Sequence, residues 1–285
     1  MPRMGFQMPS AAQNSAQRII SLAPSVTSIL VALGARRQLV AVSKWCKDVA
    51  GVNGLPGLGD CWSLGTKAEE NAASLLELKP TLIIGSVPFK TETVEEILKL
   101  PVPFVALNPR SLADIEMDIR TLGLLANAKL RAEALTREMR GTFGRIRKAV
   151  SRAKSRPRVY CEAWPNPRIS SPPWVAELVE ICGGEMAVAA GARISDDDVT
   201  RANPEIIVLA WTAAGGKSKC EQALNNPAWS DVSAIREKKV FAVRDELLNT
   251  PGPPLVRGAE ELLRVIHPEL AAPQRKSKKF AKAAS

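Results

Sequence analysis

The sequence is poor in the side chains that most metal sites and hydrolytic enzymes use. It has one histidine in 285 residues, which excludes a multi-histidine metal site and an ordinary hydrolase triad. Its five cysteines form no C-x-x-C pair and are odd in number, which favours a reducing compartment. No apolar run approaches the roughly 18 residues of a membrane span.

The beginning of the chain also lacks a recognisable export segment. Residues 1–17 contain no apolar run of secretory length. Together with the odd cysteine count, this predicts a cytoplasmic protein. Of the polar groups that remain, we interpret Asp196–Asp198 as the acidic first turn of a helix and His267 as a helix-terminal structural residue.

The formal charge of +10 is concentrated in two stretches. Residues 129–158 and the tail from Gln274 to Ser285 carry the basic excess, and the rest of the chain is mildly acidic. Aromatic residues do not alternate with these cations, so no specific nucleic-acid site is predicted. We interpret the two stretches as a solvated helix face and a disordered solubilising end, and non-specific contact with polyanions is the alternative.

Buried strands alternate with helices along most of the chain, which predicts an α/β fold with parallel-type sheets. The order of elements then recurs. The segment Leu78–Ile84 resembles Ala202–Val208, and a helix ending at Gly34 corresponds to one ending at Gly183. The sequence therefore predicts two similar lobes, residues 18–110 and 156–270.

Between the lobes, residues 111–155 repeat apolar positions at helical spacing with no proline. This pattern predicts one long helix that links the lobes, and a break at Gly123, Gly141 or Gly144 is the alternative. Residues 1–17 and 271–285 are predicted to be disordered flanks.

Large apolar side chains follow several predicted strands, where ligands of open α/β sheets bind. Three tryptophans and the segment Val87–Phe89 occupy such positions; the tryptophans are Trp45, Trp164 and Trp211. Rings at the rim of a cleft between two lobes suit a flat or bulky, partly apolar ligand. The alternative is that these rings cap the lobe cores.

Several segments resemble the iron-siderophore and cobalamin substrate-binding proteins of ABC importers, and the cobalamin-binding branch above all. The resemblance covers roughly Arg18 to Pro268 and rests on the segments Arg18–Ser25 with Thr27, Gly59–Trp62, Lys79–Ile83, Glu177–Gly184 and Pro251–Pro253. It implies a class III (chelatase-like) fold of two Rossmann-like lobes joined by one long α-helix. It also implies a non-catalytic protein that holds a corrinoid or related metal chelate as its ligand, with no resident cofactor or metal, and acts as a monomer.

The resemblance also suggests which residues contact the ligand. Trp45, Trp62 and Asp245 match residues that line the corrinoid cleft, and Val87 to Phe89 match a loop at its rim. With the strand-end residues, the predicted ligand-binding set is Pro24, Ser25, Trp45, Trp62, Val87, Phe89, Trp164, Trp211 and Asp245.

Two features depart from the family pattern. Family members are normally exported, whereas this sequence shows no export segment. Members also bind arginines of a membrane permease through one glutamate in each lobe. In this sequence the first of these positions is Ala73, with Glu69 and Glu70 nearby, and the second is Asp197. A permease remains the expected partner, with these three acidic residues as the docking groups.

Three alternative functions stay open at this point. A cytoplasmic tetrapyrrole or metal-chelate enzyme on the same fold needs a titratable pair, for which Glu162, Asp245 and Glu246 are candidates. An iron-siderophore or haem binder is a second alternative, since Arg168, Arg193 and Arg244 lie near suitable strand ends. A basic scaffold that binds membrane or nucleic acid is the third.

Overall fold

The computed structural model describes residues 17–49, 52–55, 57–58, 74–89, 91–211 and 220–271. The chain forms two compact units. The first contains the described residues up to Asn108 together with Thr121–Arg131, and the second contains Pro109–Arg120 and the described residues from Ala132 onward. Within these described ranges, no helix combines the length and the hydropathy that crossing a membrane requires.

The first unit is built on a five-stranded parallel sheet in the order β3-β2-β1-β4-β5. Its strands are β1 Ile19–Ser21, β2 Leu39–Ser43, β3 Gly57–Leu58, β4 Leu82–Ser86 and β5 Phe104–Leu107. Helix α1 (Pro24–Ala32) follows β1 and α2 (Thr91–Leu98) follows β4. Strands β1 and β4 are buried throughout, so these central strands read as continuous apolar runs instead of alternating ones.

The second unit contains a mixed sheet in the order β10-β9-β6-β7, with β8 also paired to β6. Its strands are β6 Arg158–Pro165, β7 Arg168–Ser170, β8 Glu185–Met186, β9 Ile206–Leu209 and β10 Val240–Ala242. Strand β7 is antiparallel to β6, and the other pairs are parallel. The α/β prediction is confirmed, but the hairpin of β6 and β7 makes this sheet mixed.

The helices of the second unit that follow β7 cover this sheet or connect its strands. They are α5 Pro173–Ile181, α6 Asp196–Ala202, α7 Cys220–Leu224, α8 Ser233–Arg236, α9 Glu246–Asn249 and α10 Leu255–Ile266. Ser195 caps α6 in a reciprocal capping box with Asp198, so Asp196–Asp198 form the first turn of a helix as expected. His267 ends α10 and is 3% exposed, which agrees with the structural role predicted for it.

The prediction of one helix over residues 111–155 is wrong. The segment forms α3 (Leu112–Leu125) and α4 (Lys129–Val150), and the chain is not helical at Ala126–Ala128. The break falls at none of the three glycines considered; it falls at Asn127, whose φ is 54°. Asparagine tolerates this left-handed conformation better than most residues and commonly ends helices there.

The predicted internal repeat has a backbone counterpart. Lys79 has a φ of 47° and Asn203 a φ of 43°. Each precedes a proline and lies just before a parallel strand, β4 in the first unit and β9 in the second. The same turn therefore leads into equivalent strands in the two units, although the residues that adopt it differ.

Candidate functional site

The carboxyl ends of β1, β2 and β4 lie at one edge of the first sheet because these strands are parallel. Pro24 and Ser25 follow β1, Trp45 follows β2, and Val87–Phe89 follow β4. Two of these side chains face solvent, since Trp45 is 38% exposed and Val87 is 42% exposed. The structure thus places those predicted residues of the first unit that it describes along one sheet edge.

The remaining predicted residues at this edge are less accessible. Ser25 is 6% exposed. The ring of Phe89 packs against Gly85, where a Cβ atom would come within 2.6 Å of the ring, and makes an edge-on contact with Phe104 at 5.8 Å between centroids. Phe89 therefore supports the sheet edge, and Trp45 and Val87 supply its exposed apolar surface.

A neutral hydrogen-bond network lies beneath the carboxyl edge of the first sheet. Thr27 Oγ1 donates to Cys46 Sγ at 3.1 Å, and its oxygen lies 2.7 Å from Ser21 Oγ. Ser43 Oγ lies 3.2 Å from Cys46 Sγ. Burial raises the pKa of the Cys46 thiol, so this cysteine acts as a weak hydrogen-bonding group and not as a nucleophile.

In the second unit, Trp164 and Trp211 have different environments. Trp164 is 40% exposed, and its Nε1 donates to the Asn166 carbonyl at 2.8 Å. It lies within β6 rather than after it, opposite Ile169 of β7. The predicted strand ended too early, because the turn at Asn166 and Pro167 folds the chain into a hairpin.

Trp211 does not lie on an open surface. It is 9% exposed and belongs to the apolar core that also contains Tyr160 and Trp229. The prediction that it forms part of a solvent-facing rim is therefore wrong, and the core-capping alternative holds for this residue.

The hydrogen bond of Trp211 leads to a buried charged cluster that the sequence did not reveal. Its Nε1 donates to Glu162 Oε1 at 2.8 Å, and Tyr160 donates its hydroxyl to Glu162 Oε2 at 2.7 Å. Arg168 Nη1 also donates to Glu162 Oε2, at 2.9 Å. Glu162 is 0% exposed, and these three donors satisfy the carboxylate that burial would otherwise destabilise.

Arg168 joins this cluster to the start of α6. Its Nη2 lies 2.9 Å from Asp196 Oδ1, and its guanidinium stacks on the Trp229 ring at 4.3 Å from the centroid. Burial opposes the charge of Arg168, but Glu162 and Asp196 outweigh it, so the pKa of Arg168 is raised. Burial and then Glu162 raise the pKa of Tyr160.

This arrangement excludes Glu162 as an acid or base in contact with a substrate. All of its described neighbours hold it inside the unit, and the cavity beside it measures about 30 Å³, space for a water molecule but not a ligand. The prediction that Glu162 is available as a titratable group of an enzyme is wrong. Arg168 is likewise engaged, which removes it from the arginines suggested for a siderophore.

Two other predicted residues keep contact with solvent in the second unit. Asp245 follows β10 and is partly exposed, and Arg244 beside it forms an ion pair with Glu246. Asp197 is exposed in the first turn of α6. Trp62, Glu69 and Glu70 lie outside the described residues.

A concave region of about 570 Å³ in the first unit lies away from these residues. Its lining includes Gly34, Gln38, Asn127 and Arg131. Residues 34–38 precede β2, so the region lies at the amino edge of the sheet, opposite the edge that carries Trp45. None of the predicted ligand-binding residues that the structure describes lines it.

The comparisons with known proteins agree with this architecture. A family model described as periplasmic binding protein matches residues 19–247. A Bacillus subtilis protein named as the ABC transporter substrate-binding lipoprotein YvrC is 24% identical over 89% of this chain and 81% of its own length. The vitamin B12-binding protein of Pectobacterium carotovorum is 24% identical over 90% of this chain and 91% of its own length.

Solved structures with the same fold bind different ligands. The haem-binding protein RhuT of Roseiflexus has a TM-score of 0.76 at 22% identity and covers 90% of this chain and 100% of its own. The vitamin B12-binding protein BtuF of Vibrio cholerae has a TM-score of 0.70 at 21% identity, with 88% and 96% covered. The molybdate-binding protein MolA of Haemophilus influenzae has a TM-score of 0.72 at 19% identity, with 89% and 87% covered.

Proposed function

The chain belongs to the periplasmic binding protein family, and we propose that its ligand is a corrinoid or a related metal chelate held by aromatic and apolar side chains. The observation that carries this proposal is the exposure of Trp45, Val87 and Trp164 at strand ends, each near 40%. Tryptophan freezes only two side-chain torsions and offers a wide contact area, which suits a large, partly apolar ring system.

The polar part of such a ligand requires only a few polar side chains at defined positions. Asp245 is the partly exposed carboxylate among the predicted residues of the second unit, and a carboxylate accepts hydrogen bonds from the amide side chains of a corrinoid. A small oxyanion such as molybdate fits this set poorly, because it would meet apolar rings and a negative charge.

We also propose that the protein binds its ligand without converting it chemically. The burial of Glu162 removes one member of the titratable pair that an enzyme would need, and Glu246 is paired with Arg244. An ABC permease is the proposed partner, and Asp197 at the exposed start of α6 is the proposed docking residue of the second unit. A cytoplasmic location, as proposed from the sequence, would instead mean that the protein handles its ligand inside the cell, and a fluorescent fusion followed by cell fractionation distinguishes this from docking to a permease.

The first experiment is a titration of the purified protein with cyanocobalamin, haemin and molybdate in parallel. Cyanocobalamin is expected to quench tryptophan fluorescence and to raise the melting temperature, because a ligand that binds only the folded state stabilises it by about 2.7 kcal/mol at one hundred times its Kd. Haemin binding with no response to cyanocobalamin would mean that the ligand is a haem and not a corrinoid. No response to any of the three probes would contradict the proposal.

Variants then test which surface binds. Trp45→Ala and Trp164→Ala are each expected to weaken cyanocobalamin binding by at least about tenfold, as is expected of aromatic side chains that a bound partner covers at the centre of a contact. The matched control is Leu98→Ala, which removes a side chain that is 67% exposed at the end of α2. Equal affinities for all three variants would mean that the exposed tryptophans do not contact the ligand.

A further inference from the structure

The outward side of α4 is strongly basic. The helix contains seven basic and two acidic residues. Its buried residues lie along one side of the helix, and they are Ala132, Thr136, Met139, Thr142, Phe143 and Ile146. From Ala134 onward, the residues centred on the opposite side are all exposed, and they are Ala134, Arg137, Gly141, Gly144, Arg145 and Lys148, with the exposed Glu138 at the edge of the set. We call this set the basic face of α4.

The cations of this face are not neutralised by the fold. Arg140, which lies beside the face, is held by Glu116 at 2.7 Å. In contrast, no ion pair joins Arg137, Arg145 or Lys148 to a carboxylate within the described part of the chain. Arg145 donates only to the neutral Thr142 hydroxyl, at 2.8 Å. Three positive charges therefore lie on one side of the helix, and none of them is paired with a carboxylate among the described residues.

Gly141 and Gly144 lie between these cations, and packing within the fold does not explain why they are glycines. A Cβ atom at Gly144 would have no atom within 4 Å, and one at Gly141 would meet only the end of the Arg145 side chain at 3.6 Å. Glycine is less favourable than alanine in a helix interior. Packing does not require these glycines, but their lack of side chains lets another surface come close to the helix between the cations.

We propose that the basic face of α4 binds the surface of an anionic phospholipid membrane. Positive charge on the face complements the lipid phosphates, and each lysine or arginine near such a surface contributes about 1 kcal/mol. The face extends over about 21 Å, at 1.5 Å per residue from Ala134 to Lys148. Its length and its small central residues suit a flat, extended surface, and no aromatic residue lies on it to stack on nucleic-acid bases.

The test is co-sedimentation of the full chain with vesicles. We expect binding to phosphatidylcholine vesicles that contain about 30% phosphatidylglycerol, weaker binding as salt rises from about 50 to about 300 mM, and no binding to pure phosphatidylcholine. The triple variant Arg137→Gln, Arg145→Gln, Lys148→Gln is expected to lose affinity on the order of 100-fold.

A control of equal charge change separates the face from net charge. Arg236, Lys238 and Arg257 are also exposed in the second unit and lie on neither α3 nor α4. Their replacement by glutamine is expected to change vesicle affinity by less than about threefold, since salt screens charges that do not lie next to the membrane. Both variants retain residues 272–285. Equal losses in the two triple variants, or no binding by the unchanged protein, would overturn the proposal.

The glycines provide a readout that a loss of folding cannot imitate. The double variant Gly141→Gln, Gly144→Gln is expected to melt at a higher temperature, because glutamine is a better helix former, and yet to bind vesicles more weakly. An unchanged vesicle affinity would contradict the proposal that the membrane surface comes close to the helix at these glycines. Tighter binding to duplex DNA than to vesicles at the same phosphate concentration and salt would instead assign the face to nucleic acid.

Discussion

The two units place similar sheets beneath their strand ends but bury different kinds of polar group there. Among the described residues of the first unit, the buried polar side chains are hydroxyls of serine and threonine, with the Cys46 thiol beside them. The second unit buries the carboxylate of Glu162 and pairs it with Arg168. A shared backbone arrangement therefore does not determine which polar side chains are buried beneath the sheet edge.

This difference has a consequence for stability. A neutral hydrogen bond contributes about 1 kcal/mol to stability, and losing one leaves no charge behind. A buried ion pair is different, because removing one partner leaves an uncompensated charge in a medium that solvates it poorly. The second unit is therefore expected to be the more sensitive of the two to single substitutions beneath its edge.

The largest effect is expected for Arg168→Met. The substitution leaves Glu162 buried without its cation and should lower the free energy of unfolding by about 3–5 kcal/mol, as measured by urea denaturation. Adding Glu162→Gln removes the second charge, and the amide oxygen can still accept from Trp211 while the amide NH2 donates to the Tyr160 hydroxyl. The double variant is expected to recover part of the loss, and a double variant less stable than Arg168→Met would contradict the charge-based explanation.

A smaller effect is expected beneath the other sheet. Thr27→Val keeps the shape of the side chain but removes the hydroxyl that contacts Ser21 and Cys46. Ser21 keeps its bond to the Ala23 carbonyl, and Cys46 keeps its contact with Ser43. The free energy of unfolding should therefore fall by only about 1 kcal/mol. A loss of stability as large as that of Arg168→Met would contradict the prediction that the second unit is the more sensitive of the two.

The elements that define each sheet were predictable from sequence, because their signals are local. Buried strands such as β4 are continuous apolar runs, and the turns before β4 and β9 share a proline after a residue with positive φ. The positions of Trp45 and Val87 after parallel strands follow from this pattern alone. The break at Asn127 also had a local signal, because asparagine tolerates the left-handed conformation that ends helices. The helical periodicity on both sides concealed this signal.

The cluster around Glu162 depends on contacts that are remote in sequence. Trp211 is 49 residues from Glu162, and its burial follows from that hydrogen bond and the core around Trp229. The hairpin that brings Arg168 to Glu162 did have a signal, since Asn166–Pro167 is a common turn dipeptide between two short strands. A carboxylate inside a buried strand also requires a cation nearby, and Arg168 is the next arginine along the chain.

The last predicted effect depends on pH and concerns Asp118, a carboxylate of the second unit to which the described residues supply no cation of the kind that Arg168 supplies to Glu162. Burial, and then the charge of Asp114 one turn away, raises the pKa of Asp118 to about 6. A raised carboxyl pKa means that the folded state binds the proton more tightly than the unfolded state. The contribution of Asp118 to stability is therefore fully present below the ordinary aspartate pKa of 3.8 and is lost as the pH rises through about 6.

Asp118→Asn should remove this dependence, because the amide carries no charge at any pH. The variant is expected to be more stable than the unchanged protein at pH 8 by urea denaturation, with the difference shrinking as the pH falls below the pKa of Asp118. Asp231→Asn, at an exposed position of the same unit, is the control and should change stability little at either pH. A gain for Asp118→Asn that is equal at high and low pH would mean that the stabilisation comes from packing rather than from charge, and the contrast with the paired Glu162 would then not extend to Asp118.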